Sequence, residues 1–124
     1  MWSCPICRLP LVRELKSWRC SNAHSFDCAS EGYVNLLLPN QKSSQNPGDN
    51  KLMINARREF LDRHYYSPLV QRISRLVDSH SNLASLCLHD AGCGEGYYTH
   101  GVSNALTELN YSVEVSGHDI SKWA

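Results

Sequence analysis

Leu88-His89-Asp90-Ala91-Gly92-Cys93-Gly94-Glu95-Gly96-Tyr97 is the stretch on which the fold turns. An acid closes the apolar run Leu86-Cys87-Leu88, and three glycines follow at alternate positions. Glycine lets the backbone turn sharply and pass close to a ligand, so the pattern reads as a strand, a tight turn and the start of a helix. Working outward, a helix is expected over about 97–109 and a second strand over 113–117. Strand, turn, helix and strand make a βαβ unit of a parallel sheet, which places the chain in the α/β class.

The spacing of the glycines narrows the ligand. A dinucleotide fingerprint is G-x-G-x-x-G, whereas here the third glycine comes one place early and position 97 is Tyr97. No Lys-Ser/Thr pair follows, which excludes a phosphate loop of the Walker type. An acid before G-x-G-x-G suits a methionine-derived cofactor, which carries an amino group and no pyrophosphate. A second acid belongs at the end of the next strand, where it can bind both ribose hydroxyls. Asp119, after Val115-Ser116-Gly117-His118, stands there. Cys93 reads as a small residue at a close backbone approach rather than a nucleophile, and Cys87 as strand core.

Upstream, Ser67-Pro68 opens a helix in which Leu69, Ile73, Leu76 and Val77 recur at helical spacing. An earlier helix is expected over about 50–63, capped by Asp49, with Met53, Ala56, Phe60 and Leu61 on its buried side. Residues 40–50 are polar and read as a linker containing the turn Pro47-Gly48-Asp49. Before it lies the apolar segment Glu31–Leu38, in which Tyr33 is expected to pack.

The first 28 residues carry a different chemistry. Cys4-Pro5-Ile6-Cys7 and Cys20-Ser21-Asn22-Ala23-His24 form C-x2-C-x12-C-x3-H. Zinc takes four sulfur or nitrogen donors in a tetrahedron, and a tight turn presents two of them from one strand end. Two such turns make a zinc ribbon, with Leu11-Val12 and Ser17-Trp18-Arg19 suited to its strands. Cys28, four residues past His24, is the alternative fourth donor, although the C-x3-H spacing favours His24. Arg8, directly after Cys7, could balance thiolate charge.

The 124 residues amount to about one average domain. No apolar run approaches the roughly 20 residues of a membrane span, and Met1-Trp2-Ser3-Cys4-Pro5 lacks the regions of a signal peptide. A soluble, cytoplasmic protein is expected. The zero net charge hides an asymmetry: residues 1–75 hold eleven Lys/Arg against six Asp/Glu, and residues 76–124 hold one against six. A polyanion would bind the first part. Arg8, Arg13, Arg57 and Arg58 are the candidate phosphate contacts, each with solvated surface as the plainer alternative. Trp18 and Tyr33 are candidates for base stacking or for packing.

With both motifs placed, the chain resembles the bacterial 23S rRNA (guanine-N1)-methyltransferases. The resemblance runs through Cys4-Pro5-x-Cys7, His24-Ser25-Phe26-Asp27 and Glu31-Gly32-Tyr33-Val34-Asn35-Leu36-Leu37. It continues in Pro47-Gly48-Asp49, Ala56-Arg57-Arg58-x-Phe60-Leu61-Asp62 and Gly92-Cys93-Gly94-Glu95-Gly96-Tyr97-Tyr98-Thr99-His100. It implies transfer of a methyl group from S-adenosyl-L-methionine (SAM) to N1 of a guanine in a hairpin of 23S rRNA. It also implies zinc at Cys4, Cys7, Cys20 and His24, SAM contacts at Tyr66, Gly94 and Glu95, and a homodimer whose zinc domains help to hold RNA.

Together with the motif residues Asp90, Gly92, Gly96 and Asp119, those contacts make up the expected cofactor site. The expected organisation is a zinc-ribbon RNA-binding domain over 1–38, a linker over 39–50 and, over 51–124, the incomplete N-terminal part of a Rossmann-like SAM-dependent methyltransferase domain. His89 departs from the family pattern, in which an apolar residue precedes the motif acid, and could disturb strand packing. The family also continues past residue 124, so the chain by itself is expected to be inactive and to bind SAM weakly. No residue is assigned as the proton acceptor. Two other classes fit parts of the sequence. A non-enzymatic zinc-ribbon RNA-binding module or inactive remnant leaves the glycine turn unused, and a nicotinamide or flavin oxidoreductase conflicts with the early third glycine.

Overall fold

A computed structural model describes residues 2–42, 44 and 47–124, so Ser43, Gln45 and Asn46 of the expected linker lie outside the described residues. The chain divides into two compact units, Met1–Gln45 and Asn46–Ala124.

The first unit is a three-stranded antiparallel ribbon: β1 (Val12–Glu14), β2 (Ser17–Arg19) and β3 (Ser25–Asp27), in the order β1-β2-β3. Trp18 lies opposite Arg13 on one side and Phe26 on the other. The buried cluster is Cys4, Leu11 and Cys20, with Trp2, Cys7, Trp18, Phe26 and Leu36 packed around it. Two of these three buried side chains are cysteines of the C-x2-C…C-x3-H pattern, so the ribbon has almost no apolar core of its own. Tyr33 does not pack as expected: it is 52 % exposed, and Leu36 takes the place against the cluster. A single 3-10 turn, Pro39–Gln41, occupies part of the stretch read as linker.

The second unit opens with α1 (Lys51–Leu61). Its cap is Asn50, whose side chain accepts the Met53 N–H at 3.0 Å, and not Asp49. The buried residues are Ile54 and Leu61, whereas Met53 and Phe60 are 52 % and 46 % exposed. Both pairs are seven residues apart, on helix lines offset by about 100°, and periodicity alone does not say which line meets the core.

The same ambiguity recurs in α2 (Ser67–His80). Ser67 is its first residue rather than its cap, the cap position being held by Tyr66. Leu69 and Leu76 are exposed, and Ser74 is buried, its hydroxyl donating to the Val70 carbonyl at 2.9 Å. The partner decides this. Gly101 of α3 (Tyr97–Glu108) lets Val70 approach so closely that an added Cβ would lie 3.0 Å from a Val70 methyl.

β4 (Ser85–Ala91) and β5 (Ser112–His118) pair in parallel from Ser85↔Ser112 to Ala91↔His118. α3 crosses between them and buries Val102 and Leu106. Leu86, Leu88 and Asp90 alternate with the exposed Cys87, His89 and Ala91. Cys87 is therefore on the open face, with its Sγ 3.5 Å from Glu114 Oε2, and is not core as expected. His89 shares that face, with Nδ1 2.9 Å from Ser116 Oγ and Nε2 3.0 Å from His118 Nδ1. The polar row accommodates the departure at His89 without displacing Asp90.

Leu106 is 1 % exposed, the most buried apolar residue of the second unit. Leu106→Ala should reduce unfolding free energy by about 2–5 kcal/mol. Urea denaturation followed by circular dichroism checks this, and a loss below about 1 kcal/mol would contradict the packing of α3 described here.

Candidate metal centre and cofactor turn

Two tight turns present the sulfur and imidazole donors. The Cys4 carbonyl accepts the Arg8 N–H at 2.8 Å, and the Cys20 carbonyl accepts the Ala23 N–H at 2.9 Å. Arg8 and Ala23 both take positive φ, 65° and 62°, the left-handed conformation that lets so short a chain fold back on itself. The donor atoms of Cys4, Cys7, Cys20 and His24 all lie within 4.8 Å of one another.

The separations fit a metal tetrahedron. Zn–S and Zn–N bonds of about 2.3 and 2.05 Å imply edges of about 3.8 Å between sulfurs and about 3.6 Å between sulfur and nitrogen. Cys7 Sγ is 3.6 Å from Cys20 Sγ, and His24 Nδ1 is 3.6 Å from Cys4 Sγ and 3.4 Å from Cys20 Sγ. Cys28 is outside the cluster, its backbone N–H donating to the Lys16 carbonyl beside a bridge to Val34. The fourth corner is therefore His24.

Electrostatics within the cluster point the same way. Burial opposes ionisation of Cys4, but the N–H groups of Cys7 and Ile6 and the Cys7 and Cys20 thiols outweigh it and bring its pKa to about 6. For Cys7 the Leu9 N–H favours the thiolate, yet burial and the neighbouring Cys4 and Cys20 sulfurs push it up. One thiolate forms readily and impedes the next, a conflict that a bound cation removes.

In the second unit the glycine turn leaves open space. Gly92, Gly94 and Gly96 take φ of 79°, 54° and 87°, and a Cβ built on any of them would meet no described atom within 4 Å. The turn is fixed from behind: the His118 carbonyl accepts the N–H groups of Gly92 and Cys93 at 2.8 and 3.1 Å. Asp119 then accepts the Gly94 N–H at 2.9 Å through Oδ2 and the Ser121 N–H at 2.7 Å through Oδ1.

Sequence reading missed what stands behind Asp119. Ser121 is buried, and its hydroxyl donates to the Asp49 carbonyl at 2.7 Å. Gly48 packs there so tightly that a Cβ would lie 2.9 Å from Ile120 and from the Ser121 nitrogen. The glycine of Pro47-Gly48-Asp49 was the available signal, because its close approach has a partner far along the chain.

Three carboxylates edge the cradle. Asp90 accepts the Thr99 hydroxyl at 2.5 Å, tying β4 to α3. Asp119 keeps lone pairs beyond its two backbone bonds. Both oxygens of Glu95 are buried with no hydrogen-bond partner among the described residues, and such a carboxylate calls for a donor. Burial, then the charges of Asp119 and Asp90, push the Cys93 thiol up. It is thus a neutral side chain, packed 3.1 Å from where a Gly117 Cβ would lie. Tyr66 sets its ring edge-on to Tyr98 at 6.4 Å. Tyr98, whose phenol is pushed up by burial and then by Tyr66 against the opposing Arg57, lies in the first turn of α3. A cofactor with an ammonium group and ribose hydroxyls fits this donor-seeking, anionic cradle, whereas a pyrophosphate would be repelled. Arg8 and Arg13 are exposed on the ribbon, and Arg57 and Arg58 on α1.

Comparison with known proteins agrees with the zinc ribbon. Residues 2–45 match the zinc-ribbon family described as "RlmA, N-terminal". The chain is 36 % identical over 96 residues to the 23S rRNA (guanine(748)-N(1))-methyltransferase of Streptomyces fradiae, covering 77 % of this chain and 33 % of that protein. A protein of Bacillus subtilis (strain 168) named as a 23S rRNA (guanine-N(1)-)-methyltransferase, YxjB, is 31 % identical over 130 residues, covering 98 % of this chain and 43 % of its own length. The corresponding protein of Micromonospora griseorubida is 31 % identical over 131 residues, 91 % of this chain and 43 % of the relative. Over most of its length the chain is similar to proteins named as 23S rRNA (guanine-N1)-methyltransferases. It spans a third to less than half of the length of these methyltransferases.

Cobalt(II) provides the test of the metal centre. One cobalt per chain with thiolate charge-transfer absorption is expected, and Cys28→Ser should leave both unchanged. His24→Ala should weaken metal binding roughly 100-fold or more. Loss of the absorption in Cys28→Ser, with retention in His24→Ala, would move the fourth donor to Cys28.

Proposed function

We propose that this chain carries the zinc ribbon and the SAM-binding turn of an enzyme that methylates N1 of a guanine in a 23S rRNA hairpin. The observation that carries the reading is the open cradle of Gly92, Gly94 and Gly96 edged by Asp90, Glu95 and Asp119. Tyr66, Gly94, Glu95 and Asp119 would hold the cofactor, and Asp90 and Gly96 would set the shape of the turn around it. Bound SAM would supply a methyl group already made electrophilic by its sulfonium.

The chain's own residues bind and orient. The Glu95 and Asp119 carboxylates would fix the donor end, so that alignment with the acceptor nitrogen supplies rate. Guanine N1 lies on the Watson–Crick edge and carries a proton, so the base must be unpaired or extruded when the methyl arrives. Zinc at Cys4, Cys7, Cys20 and His24 would hold the ribbon, whose Arg8 and Arg13 offer phosphate contacts. In this reading the enzyme is a cytoplasmic homodimer, and no helix among the described residues is long and apolar enough to cross a membrane. Among the described residues a sheet of two strands provides the cofactor turn but no wall for the base, so the 124 residues alone should bind SAM weakly and transfer no methyl group.

Calorimetric titration decides the cofactor. The chain should bind SAM and not NAD, and Asp119→Asn should weaken SAM about tenfold or more, as for a lost charged hydrogen bond. Binding of NAD in place of SAM would overturn the reading. A parallel incubation with radiolabelled SAM and 23S rRNA should leave the RNA unlabelled, and specific N1-methylguanosine would show the short chain to be sufficient.

A further inference from the structure

A continuous run of rings leads away from the cofactor turn. Tyr97 and Tyr98 meet at 5.1 Å, Tyr98 meets Tyr66 at 6.4 Å, Tyr66 meets Phe60 at 5.8 Å, and Phe60 meets Tyr65 at 5.5 Å. Its near end starts α3, and its far end is on the surface, where Tyr66 is 43 %, Phe60 46 % and Tyr65 63 % exposed. Exposed aromatic rings at the end of a helix gain little from water. The core has left them out, because α1 buries the line of Ile54 and Leu61 instead.

The backbone beneath these rings is pinned. After α1, the Leu61 carbonyl accepts the His64 N–H at 2.8 Å, and the His64 carbonyl accepts the Ser67 N–H at 3.1 Å. His64 takes the left-handed conformation, φ 60°, which turns the chain between α1 and α2. Arg57, three residues before Phe60, shares its side of the helix. Arg58 follows it, and neither arginine forms an ion pair among the described residues.

We propose that Phe60 and Tyr65, with Arg57 and Arg58 beside them, form a stacking platform for unpaired nucleotides of the RNA next to the methyl-donor turn. Aromatic faces take bases of any sequence, and unpaired guanidinium groups take the phosphates between them. This deepens the methyltransferase reading and rests on it. A guanine offered at N1 must leave its pair, and the nucleotides flanking it then need a surface to stack on. The run of rings places such a surface within a few ring contacts of the cradle. Tyr66 and Tyr98 form its inner, cofactor-side part, and Phe60 and Tyr65 its outer, RNA-side part.

The test uses the zinc-loaded chain and a fluorescein-labelled, unstructured RNA 12-mer, with affinity measured by fluorescence anisotropy over a series of salt concentrations. Tyr65→Leu and Phe60→Leu should each weaken binding about tenfold, the scale of one lost base stack. Tyr65→Phe should stay within about twofold, because stacking needs the ring and not the hydroxyl. Arg57→Gln should lower the slope of log affinity against log salt by roughly 0.7, one phosphate contact on a single strand. Tyr65 and Phe60 are exposed, so the variants should melt like the parent, and the melting curves confirm that they fold. Unchanged RNA affinity in both leucine variants would overturn the platform, as would an absence of RNA binding by the parent chain. SAM titration of the same parent sample tests the methyltransferase reading separately: SAM binding with unaffected leucine variants removes the platform alone.

Discussion

Three sulfur atoms and an imidazole nitrogen held within 4.8 Å of one another are the constraint on which the first unit depends. As thiolates, the sulfurs repel strongly at such distances, and as thiols they are weak donors that gain little from being crowded together. Hydrophobic burial cannot force them to meet. Leu11 is the one fully buried aliphatic side chain in the ribbon cluster, worth about 1.5–3 kcal/mol, while ordering each residue of backbone costs about 1–2 kcal/mol. A tetrahedral cation reverses that balance. Metal binding and ribbon folding are then one event, and Trp2, Trp18, Phe26 and Leu36 form a skirt around the centre more than a core beneath it.

The second unit solves a related problem with backbone N–H groups in place of a metal. Its glycine turn is open on the ligand side, so its shape must be enforced from the other side. The His118 carbonyl and the Asp119 carboxylate do this together, each accepting two backbone N–H groups. An acid that appears in the sequence as a ligand-binding residue is thus also a structural brace. The charge asymmetry divides along the same functional lines. The acidic stretch after residue 75 surrounds a turn suited to a cationic cofactor, and the basic stretch before it carries the ribbon and the arginines of α1.

Much of this was legible in short-range spacing. The two metal knuckles and the strand–turn–helix are set by residues only a few positions apart, and physical chemistry leaves them few alternatives. Where packing partners decide, the sequence was ambiguous. Met53 and Phe60 repeat with the same period as Ile54 and Leu61, yet only the second line is buried. Val70 faces α3 because Gly101 admits it, which nothing within α2 announces. Cys87 sits in an apolar strand, but the strand has one covered face, and alternation puts Cys87 on the other. Asn50 and Asp49 are both good caps, and in the fold the Asn50 side chain takes the role while the Asp49 carbonyl accepts the Ser121 hydroxyl.

That engagement between Asp49 and Ser121 also closes the longest of the loops that meet behind the cradle. The Asp90–Thr99 bond joins residues 9 apart, Gly94–Asp119 joins residues 25 apart, and Asp49–Ser121 joins residues 72 apart. The entropy of closing a loop rises by about 0.6 kcal/mol with each doubling of its length, so the Asp49–Ser121 bond carries the largest closure cost of the three. The bond that steadies Asp119 from behind is thus the one whose closure the rest of the unit must offset most. A ligand that needs Asp119 in place would favour chains with this bond made, and by mass action would hold it made. Ligand affinity at the turn would then depend in part on a contact spanning 72 residues of sequence.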